Sequence, residues 1–293
     1  FMNSAPVNSI IALVGPTGTG KSLTGSVLEE NYVFPDSDPR YPAKNTWAGT
    51  ISPGSGEAIG DSYMKYVSRK EADGTKTWDL VWKHPNRAAI FSFDEIGMLD
   101  RRDGRDGSTL LEYIKQGYSG TEIGRVLANG KGIELAPKSY RMATLINAQP
   151  ERSGLIFSES AIAGGLSSRF LFMSTQDKDA KLQRDRSEKV PYYVTPINWD
   201  RIEAIRALPE MDDAHEAQQL LAVDGGVDAE ISHQLLTRAK VAIALAVLEG
   251  RPYLIDEDWL LSAEVIKHSD ETRLAIKSAL SKASAKANTK TGI

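Results

Sequence analysis

Residues 10–22 read Ile10-Ile11-Ala12-Leu13-Val14-Gly15-Pro16-Thr17-Gly18-Thr19-Gly20-Lys21-Ser22. Five apolar residues run directly into an octet of the form G-x-x-x-x-G-K-[ST], and a helical stretch follows. A short, wholly apolar run is what a strand buried on both faces looks like. Gly15, Gly18 and Gly20 let the backbone curl, with Pro16, Thr17 and Thr19 between them, until successive N–H groups face one point. The helix beginning near Lys21 adds its positive end to that point. Such a cradle suits the β-phosphate of a nucleotide, with Lys21 reaching the β- and γ-phosphates and the Ser22 hydroxyl ligating magnesium. The order strand, loop, helix separates this motif from a chance glycine-rich turn.

Three further apolar runs follow. Ala88–Phe93 ends in Asp94-Glu95. Behind a P-loop, Asp94 is placed to hold magnesium through water and Glu95 to polarise the attacking water as a general base. The other reading is a helix N-terminus carrying acids for dipole reasons. Ala143–Asn147 ends in an asparagine, whose amide can bond both a γ-phosphate and a lytic water, or simply cap a turn. Gly164-Gly165-Leu166-Ser167-Ser168-Arg169 then sets an arginine just before the run Phe170–Met173. An arginine there can complete a neighbouring subunit's site, or form a surface ion pair. The runs are spaced widely enough for crossover helices, which predicts an α/β fold on a parallel sheet.

The whole composition is compatible with that reading and removes others. The chain has 293 residues, 41% hydrophobic and 25% charged, enough for a buried core. It has no cysteine, which excludes disulfides, thiol nucleophiles and thiolate metal sites. Its four scattered histidines argue against structural zinc. No apolar run approaches the ~18 residues a membrane helix needs, and no signal peptide precedes the first strand, so a cytoplasmic location is expected. The formal charge is −4, so any contact with nucleic acid has to use a local basic patch. Phe1-Met2 reads as a scar ahead of a start or a domain boundary, and the chain is expected to be a piece of something longer.

Two segments predict hairpins. Tyr63–Arg69 and Thr77–Lys83 alternate around an Asp73-Gly74 turn, an insertion at about 63–83. Gly124–Arg141 holds Asn129-Gly130 as a possible tip, with Lys131, Lys138 and Arg141 as candidate contacts to DNA; Lys70 and Lys76 on the first hairpin are a second candidate set. Each is equally a solvated turn. Asp177–Lys189 is dense in charge, and Pro191 and Pro196 punctuate a linker. These divide the chain into a core over 1–190 and a helical unit over 191–293. In the latter, Ile231–Leu248 is a helix stopped by Gly250, and Asp256-Glu257-Asp258 opens another through its acidic first turn. Lys282–Lys290 is expected to fray, and the basic tail from Lys277 to be a solvated linker.

P-loop, Asp-Glu, Asn and Ser-Arg-Phe, in that order, resemble the AAA+ ATPases. Among these the chain resembles helicase-type members, including the minichromosome maintenance helicases. It is most similar to the ATPase domains of primase–helicase proteins of phages, prophages and plasmids. Gly54-Ser55-Gly56-Glu57, Phe93-Asp94-Glu95, Gly107-Ser108-Thr109-Leu110-Leu111, Gly164–Phe170 and the helical stretch Arg238–Arg251 carry the likeness, which spans about Ile10 to Leu274. The resemblance implies a hexameric ring that binds ATP and Mg2+ between subunits. In it Asn147 is a sensor residue, Arg169 acts in trans, and the C-terminal helices form a lid. Arg238 is the candidate second sensor on that lid, and a plain helix-surface arginine otherwise. A hairpin before the sensor strand faces the pore in such rings. The implied activity is translocation on single-stranded or forked DNA, as the helicase domain of a mobile element whose full-length form can carry a primase domain. An AAA+ remodeller of protein or helicase loader would share every nucleotide-site residue. A monomeric small-molecule kinase would not need Arg169 from a neighbour, and a scaffold without turnover would not need Glu95.

Overall fold

The computed structural model describes residues 6–22, 32–33, 49–103, 109–124, 132–176, 192–193, 205–223 and 225–291. Its centre is a five-stranded, wholly parallel sheet flanked by helices. The strands are β1 (Ser9–Val14), β3 (Thr50–Ile51), β6 (Ala88–Phe93), β9 (Arg141–Ala148) and β10 (Phe170–Ser174), in the spatial order β10-β1-β9-β6-β3. The four apolar runs are therefore its four longer strands. β3 is the fifth, pairing Thr50 with Ile90 and Ile51 with Phe91. Two residues carry no periodicity, so this edge strand had no signal in the sequence. A further two-residue pair, β2 (Tyr32–Val33) and β11 (Tyr192–Tyr193), lies outside this sheet.

The strands form because each buries the alternate apolar side chains of one face. Ile10, Ala12 and Val14 of β1, Ala89, Phe91 and Phe93 of β6, and Phe170 and Phe172 of β10 are all buried. Helices cover them: α1 (Glu57–Tyr63) and α2 (Ile96–Asp103) against β6, and α3 (Leu110–Ser119) against β9. Asn8, itself buried, ties α3 to the sheet by donating to the Gly117 carbonyl at 2.6 Å and accepting from the Met142 amide at 2.9 Å.

The insertion is an antiparallel hairpin of β4 (Met64–Lys70) and β5 (Lys76–Trp82), with Asp73-Gly74 in its turn and Gly74 at φ 88°. In the second segment, β7 (Ile123–Gly124) pairs antiparallel with β8 (Glu134–Leu135). Asn129, Gly130 and Lys131 lie outside the described residues, as do Gly107, Ser108 and the charged stretch with its two prolines.

After the short α4 (Glu159–Ala163) come α5 (Pro209–Val223), α6 (Gln234–Leu248) and α7 (Asp256–Thr291). Gly250, at φ 72°, ends α6 as expected. A second apolar cluster joins Met211, Ala239, Ala242, Ala246, Leu254 and Trp259. The last helix corrects the expectation of a frayed tail: it runs for 36 residues to Thr291, with residues 281–286 largely exposed along it. Ile276 and Leu280 pack into the core of the sheet, and Lys277 is paired with Glu230 at 2.8 Å. Ser269 Oγ accepts from the Phe172 amide at 2.9 Å, so α7 satisfies a donor on the outer edge of β10. Half of α7 thus belongs to the helical cluster and half to the sheet. No described helix is long and apolar enough to cross a membrane.

Candidate nucleotide site

The sheet's register brings three strand ends level. Leu13 pairs with Asn147 and Val14 with Ala148, while Phe93 pairs with Ile146 on the other side. Asn147 therefore sits between the start of the glycine loop and the start of Asp94-Glu95. Because β9 intervenes, the loop and the acids are two strand spacings apart, about 9.6 Å.

The loop is built as its glycines require. Gly18 (φ 83°) and Gly20 (φ 79°) are left-handed, and a side chain at either would point into open space above the loop. Gly15 is different. A Cβ there would lie 2.3 Å from Thr175 Oγ1 and 2.7 Å from Thr19 Oγ1. Those two hydroxyls bond each other at 2.9 Å, and Thr175 is anchored by its amide to the Val14 carbonyl at 2.8 Å. Thr175, at the end of β10, buttresses the loop, and nothing in local sequence marked it. Pro16 and Thr17 are exposed. The Lys21 ammonium donates to the Gly15 and Pro16 carbonyls at 2.6 and 2.5 Å, and desolvation lowers its pKa from the ordinary lysine value.

Asn147 is 6% exposed and its Nδ2 reaches Ser22 Oγ at 3.5 Å. Its Oδ1 is buried without a hydrogen-bond partner among the described residues. A buried orphan acceptor beside the Ser22 hydroxyl is what a hydrated magnesium ion on the phosphates would satisfy, so the residues present fit that ion. No group of three or more carboxylates and histidines converges among the described residues. Ser22 follows the loop after β1 and Asp94 stands exposed just past β6, so the two flank the strand that carries Asn147.

Glu95 has a partner that the sequence did not announce. Its Oε1 is ion-paired with Arg152 Nη1. Arg152 stands in the helical turn Pro150–Arg152 directly after β9, and α7 packs against that turn. No motif links positions 95 and 152; the pair exists because β6 and β9 are neighbours in the sheet.

Arg169 is half-buried and turned into its own chain. It donates to the carbonyls of Gly164 and Gly165, and Tyr118 lies under it at 5.9 Å from the ring centroid. Burial lowers its pKa from the usual arginine value. His233 and Lys240 of the helical unit complete a cluster of basic side chains around Tyr118. Lys240, 4% exposed, donates to the Asn8 and Tyr118 carbonyls at 2.7 Å each and lies 3.3 Å from the Tyr118 ring centroid. Burial first, then Arg169, pulls its pKa down to about 7; burial, Arg169 and Lys240 together pull His233 down to about 4.

Arg238 lies flat on Trp259, 3.4 Å from the ring centroid, and donates to the Trp259 carbonyl at 2.9 Å and to Ser262 Oγ at 3.3 Å. These contacts join α6 to α7 within the helical unit. Lys138 and Arg141 are exposed at the start of β9, the end of the sheet opposite the loop. Arg141 donates to the Lys138 and Tyr140 carbonyls, and its amide to the Arg87 carbonyl. Lys131 lies outside the described residues.

No protein-family model matches this chain, and no curated protein matches it.

Proposed function

We propose that the chain is the ATPase domain of a ring-forming, AAA+-type motor that moves on DNA, the replicative helicase domain of a mobile element, with its C-terminal helices as a lid. The observation that supports this reading is the levelling of three strand ends, from which the loop with Lys21 and Ser22, Asn147, and Asp94-Glu95 emerge on neighbouring strands. In this reading the loop amides and Lys21 hold the β- and γ-phosphates. Ser22 and Asp94 hold the ion, which when bound offsets phosphate charge. Asn147 orients the attacking water, and Glu95 accepts its proton as the water oxygen bonds to the γ-phosphorus and the bond to the β–γ bridging oxygen breaks, releasing ADP and phosphate. Arg169 serves the site of the next subunit, which requires its guanidinium to leave the Gly164 and Gly165 carbonyls and cross a subunit boundary. A permanent, forked cation suits charge growing on a transferred phosphoryl group, and loss of such an arginine typically costs ~10³-fold or more in turnover.

Two measurements test the reading. ATP turnover should rise on adding single-stranded DNA, and solution mass should rise with ATP. Mixing then tests the shared site. Arg169→Ala and Lys21→Ala proteins should each be inactive, while a mixture should regain part of the activity, because some interfaces pair a sound loop with a sound arginine. No recovery at any ratio would sink the shared site and leave a monomeric phosphotransferase.

A further inference from the structure

We propose that the β4–β5 hairpin is a contact for single-stranded nucleic acid, in which Trp78 stacks on an unpaired base while Lys70 and Lys76 straddle a backbone phosphate. The inference rests on the reading of the chain as a nucleic-acid motor; it names the form of the strand and the side chains that meet it.

The hairpin's register sorts its residues into two faces. Met64 and Trp82, Tyr66 and Leu80, Ser68 and Trp78, and Lys70 and Lys76 are successive cross-strand pairs on one of them. The lower half of that face is anchored. Trp82 meets Tyr63 edge-on at 6.5 Å, and the Tyr66 hydroxyl donates to the Gly132 carbonyl at 2.8 Å and accepts from the Gly132 amide at 3.1 Å. The upper half has no such partners. Trp78 is 58% exposed and meets no other ring or cation among the described residues. An indole normally buries most of its large apolar surface. Here its cross-strand neighbour is Ser68, too small to cover it.

One pair further out, Lys70 and Lys76 stand directly opposite each other. Like charges in that position destabilise a hairpin. The carboxylates of the turn are engaged elsewhere: Asp73 accepts from the Thr75 amide at 2.9 Å, and Glu71 from the Thr77 hydroxyl at 3.1 Å. Among the described residues neither lysine forms an ion pair. An uncovered indole beside two uncompensated ammonium groups is complementary to a ligand that is planar at one point and anionic at the next. Successive pairs on one face are about 6.7 Å apart, comparable with the span from a base to its own phosphate. A duplex hides its base faces inside the stack, so an aromatic platform selects unpaired strands. An unfolded polypeptide could cover the indole but offers no regular anion to the lysine pair.

The test is binding of a labelled oligothymidylate, read by fluorescence anisotropy over a salt series. Trp78→Ala should weaken binding by roughly tenfold to a hundredfold, as stacking on one base predicts, and Trp78→Phe should keep most of it. Lys70→Ala with Lys76→Ala should flatten the slope of log affinity against log salt by about 0.7, the loss of one phosphate contact. Val67→Ala, on the opposite face, should leave binding unchanged. Undiminished binding by Trp78→Ala, a preference for duplex, or capture of an unfolded polypeptide in place of the oligonucleotide would overturn the inference. If wild-type protein still turns over ATP faster with DNA in any of those cases, the motor reading survives. If wild-type protein neither hydrolyses ATP nor binds the oligonucleotide, both fall together.

Discussion

Arg152 offers the sharpest quantitative test, because the structure bounds how much it can matter. Its guanidinium is ion-paired with Glu95, the carboxylate proposed as the base, and on that proposal the pair competes with Glu95 engaging the attacking water. The Arg152 side chain is 63% exposed and that of Glu95 27%, so water screens the pair heavily. Exposed ion pairs contribute ~0.2–1 kcal/mol. Arg152→Ala should therefore raise the share of released Glu95, and with it basal turnover, by about fivefold at most, since 1.36 kcal/mol is tenfold. Phosphate release at saturating ATP without DNA is the assay. Arg152→Lys should stay near wild type. Salt near 0.5 M, where the screening length falls to roughly 4 Å, should speed the wild type and leave Arg152→Ala unmoved. Glu95→Gln should lose ~10²-fold or more, and adding Arg152→Ala to it should restore nothing. A tenfold fall in Arg152→Ala would refute the reasoning, because the arginine would then be stabilising the transition state rather than restraining the base.

Three other outcomes follow from the same geometry. Lys21→Ala should abolish turnover and weaken nucleotide binding, measured by equilibrium titration; near-normal hydrolysis would remove the phosphate assignment of the loop. Gly15→Ala should disable the loop with the fold intact, since its Cβ would lie 2.3 Å from Thr175 Oγ1, and adding Thr175→Ala should recover part of the binding. Lys240 binds its proton less tightly in the folded chain, at about pH 7 against an ordinary 10.5, so between those values the unfolded chain holds more protons and stability climbs with pH. Denaturant unfolding from pH 7 to 9.5 should show that climb, up to ~1.4 kcal/mol per pH unit from one proton, and Lys240→Met should flatten it.

Much of the site was legible along the chain because its parts are local. A glycine that needs a positive φ, an apolar run that ends in two acids, and an Asp-Gly turn between alternating segments are all defined within ten residues. That is why the four longer strands, the loop, Asp94-Glu95, Asn147 and the hairpin could be located from sequence alone. Strand partners are different. Any apolar run can pair with any other, and only the packed sheet decided that β9 lies between β1 and β6, which puts Asn147 beside Ser22 and Arg152 beside Glu95. Lys240 reads as an ordinary helix lysine until the helical unit docks on Asn8 and Tyr118 and removes its water. Lys282–Lys290 reads as a fraying tail by composition, yet the contacts of Ile276, Leu280 and Ser269 with the sheet hold the helix that leads into it. Local spacing determines which backbone conformations and charges a segment can offer. Burial and partnership depend on surfaces supplied from distant parts of the chain, and only the tertiary structure brings those surfaces together.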